Sequence, residues 1–262
     1  MNSLEEQYRN PANLNTRINI HEKYSDHKKD WHLWLFEQMN ISPTSRILEM
    51  GCGDGTFWLK NRERIDSSWN LILSDYSEGM VESAQKNLEG IPNIYYRPLN
   101  IEDIPFEDNR FDIIIASHML YHVPNRKKAL KEVRRVLKPD GTFYSSTIGQ
   151  NHMKEFGGLL KRFDPNLDFP SAREHALKFG VENGAEQLQG YFSEIVYKDF
   201  PGGLNITEEK AIVDYLLSSN TDLNKTLVDD KLSQFQSFLA SEKEANNGVI
   251  HITKSTGLFE SK

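Results

Sequence analysis

The stretch with the most chemical potential is Ile47-Leu-Glu-Met-Gly-Cys-Gly-Asp-Gly55, an apolar run that ends in three alternating glycines. Glycine allows positive φ there, and without a Cβ the backbone lies open to a ligand. Twenty residues past Gly55, a second apolar run, Asn70 to Asp75, ends in an acid. An acid at that place suits the two hydroxyls of a ribose. The glycine order disfavours a pyrophosphate, because Thr56 stands where the last glycine of G-x-G-x-x-G would fall. Glu49 points the same way. A carboxylate just before the turn repels a phosphate group and suits a ligand that carries an ammonium and a sulfonium.

Other reactive side chains carry less. Cys52 is the only cysteine, which excludes an intrachain disulfide and a multi-thiolate zinc site. Its position in the turn reads as a small packed side chain rather than a nucleophile. His118 and His122 are four apart, but no Glu lies between them as H-E-x-x-H requires, and no third ligand is near in sequence, so no metal is expected. Just past an apolar strand, they are placed to face a transferred group, with His122 a candidate general base. The alternative is that they line the site or cap the strand. Glu102, Asp103, Glu107 and Asp108 read as a solvated loop.

These residues need elements to hold them. Trp31, Trp34, Leu35 and Met39 form one helical stripe before Pro43, and with Tyr8 the two tryptophans read as packing residues. Strands are predicted over 46–50, 70–75, 94–99, 111–116 and 142–148. Ser77 is placed to cap a helix with Met80, Val81, Ala84 and Leu88 on its apolar face, and Gly90 to end it. A further helix carries Ala129, Leu130, Val133, Val136 and Leu137 on one side, and Lys138 to Gly141 reads as a turn. Strands separated by helical connections argue for a parallel sheet covered on both faces. Beyond it, helices are predicted over 151–163, 172–189, 207–218 and 228–242, and strands over 191–200 and 249–259.

The expected class is α/β: a doubly wound, Rossmann-like, mostly parallel sheet with helical lid insertions and a C-terminal antiparallel strand. One domain is expected over 1–262, with a core sheet at 44–150, an N-terminal helical cap at 1–43, and a lid with C-terminal strands at 151–262. Phe156, Leu159, Leu160, Phe163, Tyr215 and Leu216 are candidates to line an acceptor pocket. Of the 262 residues, 38% are hydrophobic and 11% aromatic, which marks a folded chain, and the net charge of −7 argues against a dedicated nucleic-acid binder. With no apolar N-terminal leader and no membrane-length apolar run, a cytoplasmic setting without membrane attachment is expected.

Over residues 46–148 the chain resembles the class I S-adenosylmethionine-dependent methyltransferases, most closely their small-molecule branch that includes quinone-biosynthesis enzymes. ILEMGCGDG resembles the first motif of that family and LSDYSEGMV the second. LNIEDIPFEDNRFD is similar to the segment D-A-E-x-L-P-F, and SHMLYHV and RVLKPDGTFY follow in order. The resemblance implies S-adenosylmethionine as cofactor and S-adenosylhomocysteine as product. It places Glu49, Gly51, Cys52 and Gly53 against the methionine part of the cofactor and Asp75 on the ribose. Tyr76 and Met80 would flank adenine, Asn100 and Ile101 would meet its edge, and Ser117 and His118 would complete the site. Asn100 departs from the usual acid. RINIHEKYS resembles the lead-in of some members, which makes Arg17 a candidate for the cofactor carboxylate and Tyr24 for closure; a solvated Arg17 is the alternative.

The implied reaction is in-line displacement of methyl from sulfonium to a small organic acceptor. The Asn-Pro-Pro-Tyr signature of amine-methylating nucleic-acid enzymes is missing, and so is any second cysteine for an adduct with cytosine. The alternatives are an RNA or protein methyltransferase, for which the cluster Lys127, Lys128, Lys131, Arg134 and Arg135 is the only support, and a cofactor-binding protein without catalysis. The oligomeric state is not readable.

Overall fold

The computed structural model describes residues 19–169, 172–219 and 222–262. The strands among them are β1 (Arg46–Met50), β2 (Asn70–Asp75), β3 (Ile94–Pro98), β4 (Phe111–Ser117), β5 (Leu137–Ile148), β6 (Ile195–Asp199), β7 (Gly203–Ile206), β8 (Ile250–Thr253) and β9 (Thr256–Ser261). Besides helical residues 19–24, the helices among the described residues include α1 (Trp31–Glu37), α2 (Thr56–Lys60), α3 (Glu78–Asn87), α4 (Arg126–Val136), α5 (Lys154–Phe163), α6 (Ala172–Lys178), α7 (Gly184–Leu188), α8 (Glu209–Ser219), α9 (Leu223–Thr226) and α10 (Asp229–Ala245). The chain divides into two compact units. One comprises residues 29–150, 175–200 and 256–262, and the other takes the remaining segments.

The first unit is built on a seven-stranded sheet in the order β3-β2-β1-β4-β5-β9-β6. β1 to β5 run parallel, and β9 is antiparallel to both β5 and β6. This is the expected doubly wound sheet with its antiparallel C-terminal strand. Strands this apolar must be covered on both faces. Leu48, Met50, Ile114 and Ala116 pack into one layer with Leu130, Val133 and Phe143. Ile47, Leu73 and Ile115 pack into the other with Leu35, Trp58 and Ala84. Winding reverses between β1 and β4, and the crevice beyond the carboxyl ends of those two strands is where such sheets receive a ligand.

Local chemistry sets the helix ends. Asp30 caps α1 by accepting from the N–H groups of His32 (2.8 Å) and Leu33 (3.3 Å). Asn125 caps α4 through Lys128 N–H (3.1 Å). Ser77 stands at the N-cap of α3, but its side chain makes no cap bond; its N–H instead donates to Asp75 Oδ1 at 2.9 Å.

The acidic stretch Glu102 to Asp108 lies, as read, in a connection that holds no helix among the described residues, between β3 and β4. That connection, 99–110, is irregular because Arg135 on α4 ties it down, donating to the carbonyls of Ile104 (2.8 Å) and Phe106 (2.7 Å). Leu137, read as helical, instead opens β5 opposite Phe111, and Lys138 to Gly141 is not a separate turn but part of β5, bulging between the pairs Phe111–Leu137 and Ile113–Thr142. The helix over 172–189 is two helices, α6 and α7. Asn183 Oδ1 accepts from Gly180 N–H (2.8 Å) and its Nδ2 donates to the carbonyls of Ala176 and Leu177 (both 3.0 Å), closing the first helix before the second begins. Asn183→Ala strips partners from these groups and is expected to cost about 1–3 kcal/mol, read as a lower urea midpoint at unchanged slope.

The strand over 249–259 is likewise two strands in different sheets. Ser255 N–H donates to His152 Nδ1 (3.1 Å), while Thr256 Oγ1 donates to Thr147 O (2.9 Å) and starts β9. β8 pairs antiparallel with β7, a four-residue strand the sequence pattern did not indicate.

The second unit holds that hairpin with α5, α8, α9 and α10. Its core joins Phe156, Leu160, Leu204, Leu216, Phe235 and Ile252. Phe156, Leu159, Leu160 and Leu216, read as pocket lining, are buried in this core, with Phe163 and Tyr215 packed against it. Tyr24 belongs to the same core. Glu155 fastens α5 to β8 by accepting from Thr253 N–H (2.9 Å) and Oγ1 (2.6 Å).

Candidate functional site

The glycine turn follows β1 directly. The N–H groups of Gly51 and Cys52 both donate to Ser74 O on β2 (2.8 Å each), so the turn folds back over the neighbouring strand. Gly51, Gly53 and Gly55 all take positive φ, at 77°, 56° and 79°. Their surroundings separate their roles. A Cβ on Gly51 would lie 2.9 Å from Met119 Cγ, and one on Gly55 3.0 Å from Leu88 and 3.2 Å from Ala84. Gly51 therefore lets the loop after β4 approach the turn, and Gly55 lets α2 start beside α3. Gly53 faces open space, with nothing within 4 Å of such a Cβ. That is the place where a ligand can meet bare backbone.

Asp75, at the tip of β2, holds the turn. Its Oδ2 accepts from Gly53 N–H at 3.0 Å and its Oδ1 from Ser77 N–H at 2.9 Å. Two backbone donors fix the plane of the carboxylate and leave further lone pairs on each oxygen for a ligand. Tyr76 beside it is 79% exposed, an unusual state for so large a ring. Met80 is half-buried on the first turn of α3.

Glu49 is 2% exposed and accepts a 2.6 Å hydrogen bond from Trp58 Nε1, itself fully buried. Burial pushes its carboxyl up to about 7, with the nearby Asp75 charge adding to the rise and the indole N–H opposing it. Cys52 is buried, and loss of solvent together with the Glu49 and Asp75 charges pushes its thiol far above the ordinary range, so it carries no thiolate.

The connection after β3 supplies Asn100 and Ile101. Leu99 N–H donates to Asp75 O (3.0 Å), which seats this connection beside the acid. Asn100 Oδ1 accepts from Glu102 N–H at 2.9 Å in a local turn, and Ile101 is buried in the core, so only its backbone is placed to meet a ligand edge.

At the end of β4, Ser117 Oγ pairs with Ser146 Oγ on β5 at 2.8 Å. His118 turns the chain out of the strand at φ 52°, its N–H donating to Ser146 O and Oγ, both at 3.1 Å. Its ring packs 5.0 Å from that of Trp31, and burial pushes it down to about 4. His122 follows on a short 3-10 turn, with ring centroids 4.6 Å from Tyr121 and 4.9 Å from His175. Burial, then the charges of His175 and Lys178, push it down to about 4. It is neutral at pH 7.

Gly51, Gly53, Glu49, Cys52, Asp75 and the connection through Asn100 thus gather at the carboxyl ends of β1 and β2. Met119, two residues past the end of β4, reaches the same turn at Gly51. Arg17 lies outside the described residues. Met119, Ser146 and Trp58 were not singled out from the sequence; for Trp58 the available signal is that a buried tryptophan needs an acceptor for its N–H. The basic cluster is partly committed: Arg134 donates to the carbonyls of Leu137 and Lys138, and Arg135 to Glu132, Asp108 and the 99–110 connection.

The chain matches the methyltransferase domain family over residues 48–145. It is 38% identical over 199 residues to a ubiquinone/menaquinone biosynthesis C-methyltransferase of Rickettsia prowazekii, covering 66% of this chain and 79% of that one. With a demethylmenaquinone methyltransferase of Staphylococcus haemolyticus it shares 27% identity over 212 residues, 75% of this chain and 88% of the relative. Against one of Staphylococcus saprophyticus, 29% identical over 134 residues, the match takes in 51% of this chain and spans 57% of the relative's length. Among solved structures, the fold is shared with the YcgJ protein of Bacillus subtilis (TM-score 0.56, 21% identity, 87% of this chain and 96% of that one). It is also shared with phosphoethanolamine N-methyltransferase 2 of Haemonchus contortus in complex with S-adenosyl-L-methionine (TM-score 0.59, 16% identity, 98% of this chain and 58% of that one).

Proposed function

The chain belongs to the class I S-adenosylmethionine-dependent methyltransferases of the quinone-biosynthesis kind, and from that membership we propose that it methylates a small quinol-type aromatic acceptor. The observation that carries the reading is the open glycine turn at Gly53 bonded directly to the Asp75 carboxylate, a pair fitted to bare backbone contact and to ribose hydroxyls at once. The buried Glu49, just before the turn, fits the ammonium of an amino-acid end and not a pyrophosphate.

Bound S-adenosylmethionine supplies a methyl group on a cationic sulfur. The residues of the chain do the rest. Asp75 accepts from the ribose hydroxyls, and the glycine turn and Glu49 take the amino-acid end. Tyr76, Met80 and the Ile101 backbone address adenine, and Asn100, Ser117 and His118 border the site. Held in one alignment, acceptor and methyl need no further ordering, which accounts for several kcal/mol of barrier lowering. His122 accepts the hydroxyl proton of the acceptor as its ring becomes electron-rich.

As a base already neutral at pH 7, His122 loses activity only on protonation. Its pKa is lowered, so kcat/KM is expected to stay level from pH 8 to 6 on its account and to fall below about pH 5. His122→Asn is expected to lower kcat about a hundredfold with little change in cofactor affinity. A loss within twofold would reduce the residue to a lining role.

No helix of the described residues is long and apolar enough to cross a membrane. A cytoplasmic setting is part of the same proposal, since a chain with one cysteine draws no stability from an oxidising compartment. The test is label transfer: purified protein with methyl-labelled S-adenosylmethionine and a reduced demethylated naphthoquinone, beside RNA and a protein extract. Label in the quinol alone supports the proposal. Label only in RNA or protein, or cofactor binding without transfer, overturns it in favour of the corresponding alternative.

A further inference from the structure

A second residue of the cofactor site emerges from the hydrogen bond that no motif contains. Glu49 is a carboxylate enclosed between apolar layers. Its cross-strand neighbours, Leu73 on β2 and Ile115 on β4, offer it nothing polar, and α1 and α3 bring Leu35 and Ala84 to the same cluster. Among the described residues the titratable groups acting on it are Asp75, whose charge disfavours a second anion, and the un-ionised Cys52 thiol. A carboxylate in such a place takes up a proton unless a donor stabilises the charge. The donor present is the indole N–H of Trp58, 2.6 Å from Glu49 Oε2, and the indole itself has no freedom to leave, being fully buried on α2 against Phe36 and Phe57.

We propose that Trp58 is a positioning residue for the cofactor: its N–H orients the Glu49 carboxylate and favours its ionised form, the form that receives the ammonium of the amino-acid end. The inference rests on the S-adenosylmethionine reading of the site. The indole donates without carrying charge, so it holds the anion without neutralising it, as Lys or Arg would. A hydrogen bond to an ionised acceptor is stronger than one to a neutral carboxyl, which makes the bond select the charged state.

Trp58→Phe keeps an aromatic ring and removes the donor. The measurement is calorimetric titration with S-adenosylhomocysteine and with 5′-methylthioadenosine, which keeps the adenosine and thioether but lacks the amino-acid end. The quantity read is the ratio of Kd in the variant to Kd in wild type from pH 6.5 to 8.5, a ratio in which titration of the ligand itself cancels. For S-adenosylhomocysteine the ratio is expected near tenfold at pH 6.5 and near twofold at pH 8.5, as hydroxide restores the anion that the indole no longer holds. For 5′-methylthioadenosine it is expected to stay near one. A ratio independent of pH, or an equal loss for both ligands, would mean that Trp58 only packs and would overturn the inference. Should Trp58→Phe not fold, Glu49→Gln gives the mirror image: its ratio rises with pH as wild-type Glu49 ionises, and a ratio flat at one overturns the proposal equally. Wild-type protein that binds neither ligand refutes the cofactor reading itself, an outcome distinct from all of these.

Discussion

Asp75→Ala is expected to weaken S-adenosylhomocysteine binding about a hundredfold, a loss of about 2.7 kcal/mol. Hydrogen bonds to a charged group contribute about 1.5–3 kcal/mol each, and a ribose offers two hydroxyls to this carboxylate. The same oxygens accept from Gly53 and Ser77 N–H, so the substitution also frees the tip of the glycine turn and the start of α3. Asp75→Asn separates the two effects. It keeps one acceptor oxygen and the shape of the side chain but loses the charge, and about a tenfold loss is expected. Calorimetry reads both affinities, and circular dichroism establishes that the sheet persists. Equal affinity in wild type and Asp75→Ala would place the ribose elsewhere.

Two glycines of one turn are expected to fail in different ways. Gly51→Ala sets a Cβ 2.9 Å from Met119 Cγ at φ 77°, a combined clash and strain in a packed region. The expected cost is about 2–4 kcal/mol of stability, because neither the strand end nor the Met119 loop has room to yield. Gly53→Ala meets no atom within 4 Å and pays only for φ 56°, about 1 kcal/mol. Its methyl instead occupies the open face proposed to receive the ligand. The expected result is a near-normal urea midpoint with cofactor affinity lowered at least tenfold. Two variants with the same ratio of stability loss to affinity loss would contradict this division of roles.

The sheet from β1 to β5 was legible because each strand is a short apolar run closed by turn-forming residues, and the carboxyl ends of such runs are where a glycine turn and an acid become chemistry. Gly51, Gly53 and Asp75 were legible for the same reason: their types are costly or useless elsewhere at that spacing. What escaped depended on partners distant in sequence. The break between β8 and β9 depends on His152 and Thr147, a hundred or so positions upstream, which draw adjacent residues into different bonding patterns. β7 is four residues long, too short for an alternating pattern to show. Trp58 sits on a short helix after the glycine turn, and its bond to Glu49 nine positions upstream belongs to no motif.

We propose that the glycine turn and Asp75 form a site for a sulfonium nucleoside and not for a dinucleotide. Calorimetric titration of the wild-type protein with S-adenosylmethionine, S-adenosylhomocysteine and NADH tests it directly. Saturable one-to-one binding of the two sulfur ligands, with no heat of binding from NADH, is the predicted result. Binding of NADH with silence from both sulfur ligands, in protein shown to be folded, would contradict it.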